Sequence, residues 1–369
     1  MPPVNPNPIH DTTIPNPPFG EPGHRPIIQR GAGRVNVNER KIINGGTADV
    51  VQLWPIKHKF AWDAYNVANA NHWLPTEISM QSDIEQWRSQ TVLSDDERHA
   101  FKTVLGFFTT ADSIAANNLV LAFYKHITSP EARLYLLRQA YEEAVHTHAY
   151  QYMVESLGLE GTEIYNMYRE VDAIYNKEEF ILTFNTGIFD DHFKTGTFES
   201  DQKFLENMCV FSLILEGIFF YSSFAVIFGF QRQGKLVGSA EQIQYIMRDE
   251  SNHMNFGIDM INTIKEEQPE LWTPEFVTRI TNLIKKAVKL EYEFAVNVFP
   301  TGIFGLNAEG FKQYIEHIAD RRLARVGIDQ VYGSPNPFPW MSEAVDLNKE
   351  KNFFETRVTE YKTGGTLSW

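Results

Sequence analysis

From Ser94 onward the apolar positions fall on helical faces, the pattern of segments that bury one side. Ser94 and Glu97 form a capping box that opens a helix running to about His126. Ser129-Pro130-Glu131 supplies an N-cap, a proline at the first helical position and an acid in the first turn. That helix runs to Leu157, with Gly158 as its stop. A third pattern covers about 162–184, and a fourth starts near Asp201. A Ser239–Gln242 cap starts a fifth helix, to about Glu266. Thr273-Pro274-Glu275 opens a sixth that ends before Pro300, and Asn307 caps a seventh, to Gly327. Strand-like alternation is scarce. The pattern predicts an all-α fold, a helical bundle, over residues 51–330. Residues 1–50, polar and rich in Pro and Asn, read as a mobile extension. Residues 331–369, broken at first by Pro335, Pro337 and Pro339, read as a flexible tail.

One run, Met208 to Phe230, is apolar except for Glu216. Its length suits a membrane span. An acid at the centre of such a span costs about 2.5 to 3.5 kcal/mol by insertion scales. No basic cluster flanks the run and no second span follows it. A helix at the centre of a large bundle accounts for the same run and gives Glu216 a purpose, so no membrane association is expected.

Composition narrows the classes further. A net charge of −14 argues against sequence-blind nucleic-acid binding, which needs clustered Lys and Arg. The single cysteine, Cys209, excludes a disulfide within the chain and a cysteine-based zinc site. A reducing cytoplasm is the compartment this fits. Residues Met1 to Gly33 lack the apolar core of a signal peptide.

The chemistry lies in two matching motifs, Glu143-Ala-Val-His146 and Glu250-Ser-Asn-His253. Residues three apart share a helical face, so each Glu and His reaches toward one inward point. One such pair is commonly a surface acid and base; two in long amphipathic helices say more. Asp112 sits on a face of small and apolar residues, and Glu216 sits in the apolar run. A buried carboxylate must find a proton, a cation or a metal. Together these residues give four carboxylates and two imidazoles on four helices, close to the general pattern of di-iron and di-manganese carboxylate bundles. Four carboxylates neutralise two divalent ions, and oxygen-rich ligation with one imidazole each favours iron or manganese. Tyr150 follows Glu143 by seven and His146 by four, on the same face. Phe220 and Phe224 follow Glu216 at intervals of four, and Ile246 precedes Glu250 by four, so these three are expected to line the same pocket.

Three stretches resemble the metal motifs of the class I ribonucleotide reductase beta subunit. They are Glu143-Ala-Val-His146-Thr-His-Ala-Tyr150, the run from Leu215-Glu216 to Phe224-Ala, and Arg248-Asp249-Glu250-Ser-Asn-His253. The resemblance runs from about Trp73 to the C-terminus and implies a ferritin-like fold with two metal ions per chain. It implies that Asp112, Glu143 and His146 bind one metal, and Glu216, Glu250 and His253 the other, with Glu143 and Glu250 bridging. Tyr150 takes the radical-tyrosine position. The resemblance also implies a radical route to a large subunit: Trp73 as the buried tryptophan, Asp249 linking it to His146, and Tyr361 as the tail relay. It implies a homodimer that docks the large subunit through the C-terminal tail, with Leu367 and Trp369 as anchors, and a role in reducing ribonucleoside diphosphates.

The wording around His146 and the tail resemble the chlamydial-type branch. That branch typically has Phe at the radical position and Glu as the first ligand, and uses a manganese–iron pair. Here Tyr150 and Asp112 stand in those places. Iron is therefore the first expectation, with manganese or a mixed pair next. The competing readings are a ferritin-like di-metal oxidase or hydroxylase and an iron-storage protein. Neither needs Tyr150 beside the site, Trp73 and Asp249 behind it, or a long tail.

Overall fold

The computed structural model describes residues 36–46 and 52–341, and among them no β-strand occurs. Among the described residues ten α-helices form the body. They are α1 (Lys59–Ala70), α2 (Gln81–Arg88), α3 (Asp95–His126), α4 (Pro130–Leu157), α5 (Gly161–Glu170), α6 (Asp172–Phe189), α7 (Phe198–Arg232), α8 (Val237–Glu267), α9 (Pro274–Val298) and α10 (Ala308–Arg325). The result is an all-α, ferritin-like bundle. Its centre is built from α3, α4, α7 and α8, with α4 packed on α3 and α1, and α8 packed on α7.

Local chemistry sets most helix ends. Ser94 and Glu97 make the expected reciprocal capping box on α3. The hydroxyls of Ser129 and Thr273 accept the Ala132 and Phe276 amides, and Pro130 and Pro274 follow them. Gly158 closes α4 in the left-handed region. Three boundaries differ from expectation. The pattern over 162–184 is two helices, α5 and α6. The helices α1 and α2 precede the first predicted one. The helix α8 starts at Val237 rather than at a Ser239 cap, because its first amides are capped from another element. The Asp83 carboxylate of α2 accepts Gly238 N–H at 2.9 Å and Ser239 N–H at 2.7 Å. Gln242 is thereby free to donate to the Pro75 carbonyl.

The apolar run lies inside α7, where every residue from Phe204 to Phe230 is buried. By length and composition α3 and α7 could each cross a membrane, and the most apolar window of α7 is wholly buried within the bundle. Residues Val210–Phe219 of α7 and Leu119–Phe123 of α3 are π-helical. Such turns re-aim the side chains they carry and recur at functional sites. Glu216 rides on the α7 turn. That turn meets α8 at Gly257, where a Cβ would lie 2.0 Å from Ser212 Oγ, so only glycine permits this approach.

The packed part of the chain starts earlier and ends later than the 51–330 domain expected. Residues 36–46 lie as a strap across the ends of α3, α4 and α8. Ile42 and Ile43 are fully buried, and Ile42 N–H donates to Glu267. Arg40 lies 3.7 Å from Glu131, both without solvent exposure. At the other end, Asp320 accepts the amides of Val331, Tyr332 and Gly333, and Phe338 and Met341 are buried. The expected radical relay Tyr361 and the anchors Leu367 and Trp369 lie outside the described residues.

Candidate metal centre

Four helices deliver the six residues to one point. Asp112 comes from α3, Glu143 and His146 from α4, Glu216 from the π turn of α7, and Glu250 and His253 from α8. All six are fully buried. Their donor atoms form two overlapping groups, each with its atoms within 4.8 Å of one another. The first is Asp112, Glu143, His146 and Glu250; the second is Glu143, Glu216, Glu250 and His253. Glu143 and Glu250 belong to both. The Nδ1 of His146 lies 3.1 Å from Glu250 and 3.5 Å from both Asp112 and Glu143. The Nδ1 of His253 lies 3.3 Å from Glu143 and 3.4 Å from Glu250.

The two faces of these side chains are treated differently. The outer nitrogen of each histidine has an acid: Asp249 at 3.3 Å for His146, Glu142 at 3.0 Å for His253. Inward, both oxygens of Asp112, Glu143 and Glu250, the Oε2 of Glu216 and both Nδ1 atoms have no hydrogen-bond partner. Buried polar atoms are rarely left so, and a set this dense points to a missing cation. Histidines oriented by an outer carboxylate are the usual support of a metal site. The donors therefore fit two metal ions, with one imidazole each and two shared carboxylates.

Electrostatics agrees. Burial pushes the Asp112 carboxyl up to about 7, and burial with the neighbouring Glu250 holds Glu216 well above the ordinary range. Burial alone would lower the histidines, but the surrounding acids raise both well above 6.5. Without metal, the cluster thus holds its charge in check with protons, and those are what two divalent cations would displace.

Behind His146 the Trp73 indole N–H donates to Asp249 Oδ2 at 2.7 Å, the same oxygen that meets His146. Burial disfavours the Asp249 carboxylate, yet the His146 hydrogen bond and the Arg248 charge outweigh it and keep it ionised. Trp73 is buried and stacks on Tyr245, ring centroids 5.2 Å apart. On the Asp112 side, Tyr150 stacks on Phe108, centroids 5.4 Å apart and rings nearly parallel. Phe108 in turn meets Phe224 at 5.4 Å and Phe220 at 6.1 Å. Burial, then the charges of Asp112 and Glu250, raise the Tyr150 phenol well above 10, so it keeps its proton.

Comparison with known proteins identifies the family. The family described as "Ribonucleotide reductase, small chain" matches residues 50–337. The chain belongs to the ribonucleotide reductase small-chain family. A relative from Chlamydia pneumoniae, named ribonucleoside-diphosphate reductase subunit beta, is 54% identical over 91% of this chain and 97% of its own. The R2 subunit of a ribonucleotide reductase from Clostridium botulinum superposes with a TM-score of 0.75 at 28% identity, covering 83% of this chain and 94% of that one. A ribonucleotide reductase homodimer from Saccharomyces cerevisiae shares the fold, with a TM-score of 0.66 at 22% identity, covering 82% and 90%.

In this family member the structure brings together all six expected ligands, Tyr150, and the Trp73–Asp249–His146 link. Phe220 and Phe224 join the Tyr150 pocket through Phe108, and Ile246 is fully buried in the same core. Four participants went unnoticed in the sequence. Phe108 is the ring on Tyr150; its signal is its place four residues before Asp112. Glu142 holds His253 and is itself met by Arg138 at 3.4 Å. Gln139 donates to Glu216 Oε1 at 2.8 Å. The signal for Glu142 was available: each motif is preceded by an acid, Glu142 before Glu143 and Asp249 before Glu250.

Proposed function

We propose that the chain is the radical-generating subunit of a ribonucleoside-diphosphate reductase, with Asp112, Glu143, His146, Glu216, Glu250 and His253 as ligands of two metal ions. The observation that carries this reading is the set of inward, unpartnered donor atoms facing one another between four helices. Bound there, the metals would supply, after reaction with dioxygen or another oxidant, the oxidising power that no side chain has. The protein's own contribution is positional. Glu143 and Glu250, which belong to both donor groups, would be shared by the two ions. Asp249 and Glu142 fix each imidazole so that Nδ1 faces inward. Phe108, Phe220 and Phe224 keep water from Tyr150, the residue proposed to hold the oxidised equivalent. Trp73 and Asp249 begin the route by which that equivalent leaves, and Tyr361 continues it to the large subunit. The tail, 331–369 as first read, docks that subunit through Leu367 and Trp369, and the chain works as a cytoplasmic homodimer.

The names of the relatives support diphosphates as the substrates reduced on the large subunit. Iron is the first choice of metal, because a tyrosine, Tyr150, stands at the radical position and an aspartate, Asp112, at the first-ligand position. The 54% identity to a chlamydial protein supports manganese, or a mixed manganese–iron pair, as the second. The test is to load the protein separately with iron and with manganese, expose it to oxygen, and measure metal content and electron paramagnetic resonance. Two metals per chain and a tyrosyl signal are expected. Metal uptake with no radical in either form, and no support of the large subunit, would move the assignment to a stand-alone oxidase or a storage protein.

A further inference from the structure

A second tyrosine lies at the other end of the cluster. Tyr135 is on α4, four residues before Gln139, seven before Glu142 and eight before Glu143. The helical period sets it on the face that carries the cluster. Gln139 holds Glu216 and Glu142 holds His253. Tyr135 therefore belongs to the Glu216–His253 side, whereas Tyr150, seven residues after Glu143, belongs to the Asp112–His146 side. Its ring packs on Phe256, three residues after His253, with centroids 4.2 Å apart.

The Tyr135 side chain is fully buried, and its hydroxyl has no hydrogen-bond partner. Buried tyrosines ordinarily give that hydroxyl a partner, so a purely packing role leaves it unexplained. Burial raises the phenol well above its ordinary value against the opposing pull of His253, with Glu142 and Glu216 adding to the rise, and it stays protonated. Tyr135 is thus an electron-rich ring with an uncommitted O–H beside the second metal position, as Tyr150 is beside the first.

We propose that Tyr135 is a second oxidisable tyrosine of this centre, serving the Glu216–His253 side and becoming the electron donor when Tyr150 is absent or spent. The inference rests on the ligand assignment above, and its oxidant is an iron or manganese pair oxidised by dioxygen. One electron leaves the phenol for that pair, which is reduced by one electron. The O–H bond breaks, its proton is consumed as dioxygen is reduced to water, and a neutral tyrosyl radical remains. The second tyrosine guards the centre, because an unmatched oxidising equivalent is quenched at a defined ring rather than at a ligand.

The test uses the full chain in four forms: parent, Tyr135→Phe, Tyr150→Phe and the double variant. Each is loaded with ferrous iron, mixed with oxygen and freeze-quenched for electron paramagnetic resonance, with ring-deuterated tyrosine to identify tyrosyl signals and metal content measured in parallel. Tyr150→Phe is expected to give a transient tyrosyl signal with β-methylene couplings unlike the parent's. That signal is lost in the double variant, and Tyr135→Phe keeps the parent signal. Tyr150→Phe with full metal content and no tyrosyl signal overturns the proposal, as does a signal that survives in the double variant. If the metals load and even the parent gives no tyrosyl signal, the Tyr150 assignment falls too. If no form binds metal, the ligand assignment itself fails.

Discussion

Glu178 offers a test of the core electrostatics that needs no metal. It sits on α6 with 4% exposure, and neither carboxyl oxygen has a hydrogen-bond partner. Burial pushes it from 4.5 to about 8; Lys177 pulls the other way, and Asp112 adds to the rise. The Lys177 charge is engaged elsewhere, 2.7 Å from Glu291 and over the Phe107 and Phe294 rings at 3.5 and 3.9 Å. A carboxyl whose folded value is raised binds more protons in the folded state. Its stabilising share is complete below the unfolded value and is lost as pH climbs to the folded one. At 1.36 kcal/mol per unit, that loss reaches about 3 kcal/mol at pH 7 and about 5 kcal/mol above pH 8. Glu178→Gln cannot ionise, so it escapes the loss, apart from a constant offset for burying the amide. The assay is urea unfolding of both metal-free proteins at about pH 5, where about 0.8 kcal/mol is already lost, and at about pH 7; between the two the variant's relative stability should improve by roughly 2.5 kcal/mol. A difference that stays constant with pH would refute the reasoning. So would a variant that loses ground as pH rises, since Lys177 would then be stabilising an ionised Glu178.

Three further outcomes concern function. Glu216→Ala should abolish binding of the second metal while the metal-free chain still folds, because removing an uncompensated buried acid relieves the core; circular dichroism and metal analysis read the two separately. Tyr150→Phe should keep both metals and lose the long-lived tyrosyl signal and most nucleotide reduction; undiminished turnover would place the oxidising equivalent on the metals. Deleting the chain from Thr366 onward should abolish binding to the large subunit in a pull-down yet leave the metal site spectrum intact, whereas Tyr361→Phe should bind normally and stop turnover.

The cluster of six residues was legible because helical spacing is a local property. Glu143 with His146, and Glu250 with His253, need only the 3.6-residue period to share a face. Glu216 and Asp112 were visible as acids where apolar residues prevail. What sequence did not disclose depends on partners distant along the chain. Asp83 caps α8 from α2, so the apparent Ser239 cap was misleading. The strap at 36–46 looked too polar to pack. Arg40 meets Glu131 inside the bundle, and Ile42 donates to Glu267, neither of which has a local pattern. The π turn under Glu216 was equally hidden, since nothing in an unbroken apolar run marks where one extra residue enters a turn.

The outer acids of the two motifs are exchanged between helices. Asp249 of α8 serves His146 of α4, and Glu142 of α4 serves His253 of α8. The helices are therefore keyed like two combs. A slip of one residue in their register would break both pairs at once and turn both imidazoles away from the centre. Neither metal position is an independent module, since each takes its alignment from the helix that carries the other's histidine. Damage to either Glu-x-x-His motif therefore disturbs the alignment of both histidines.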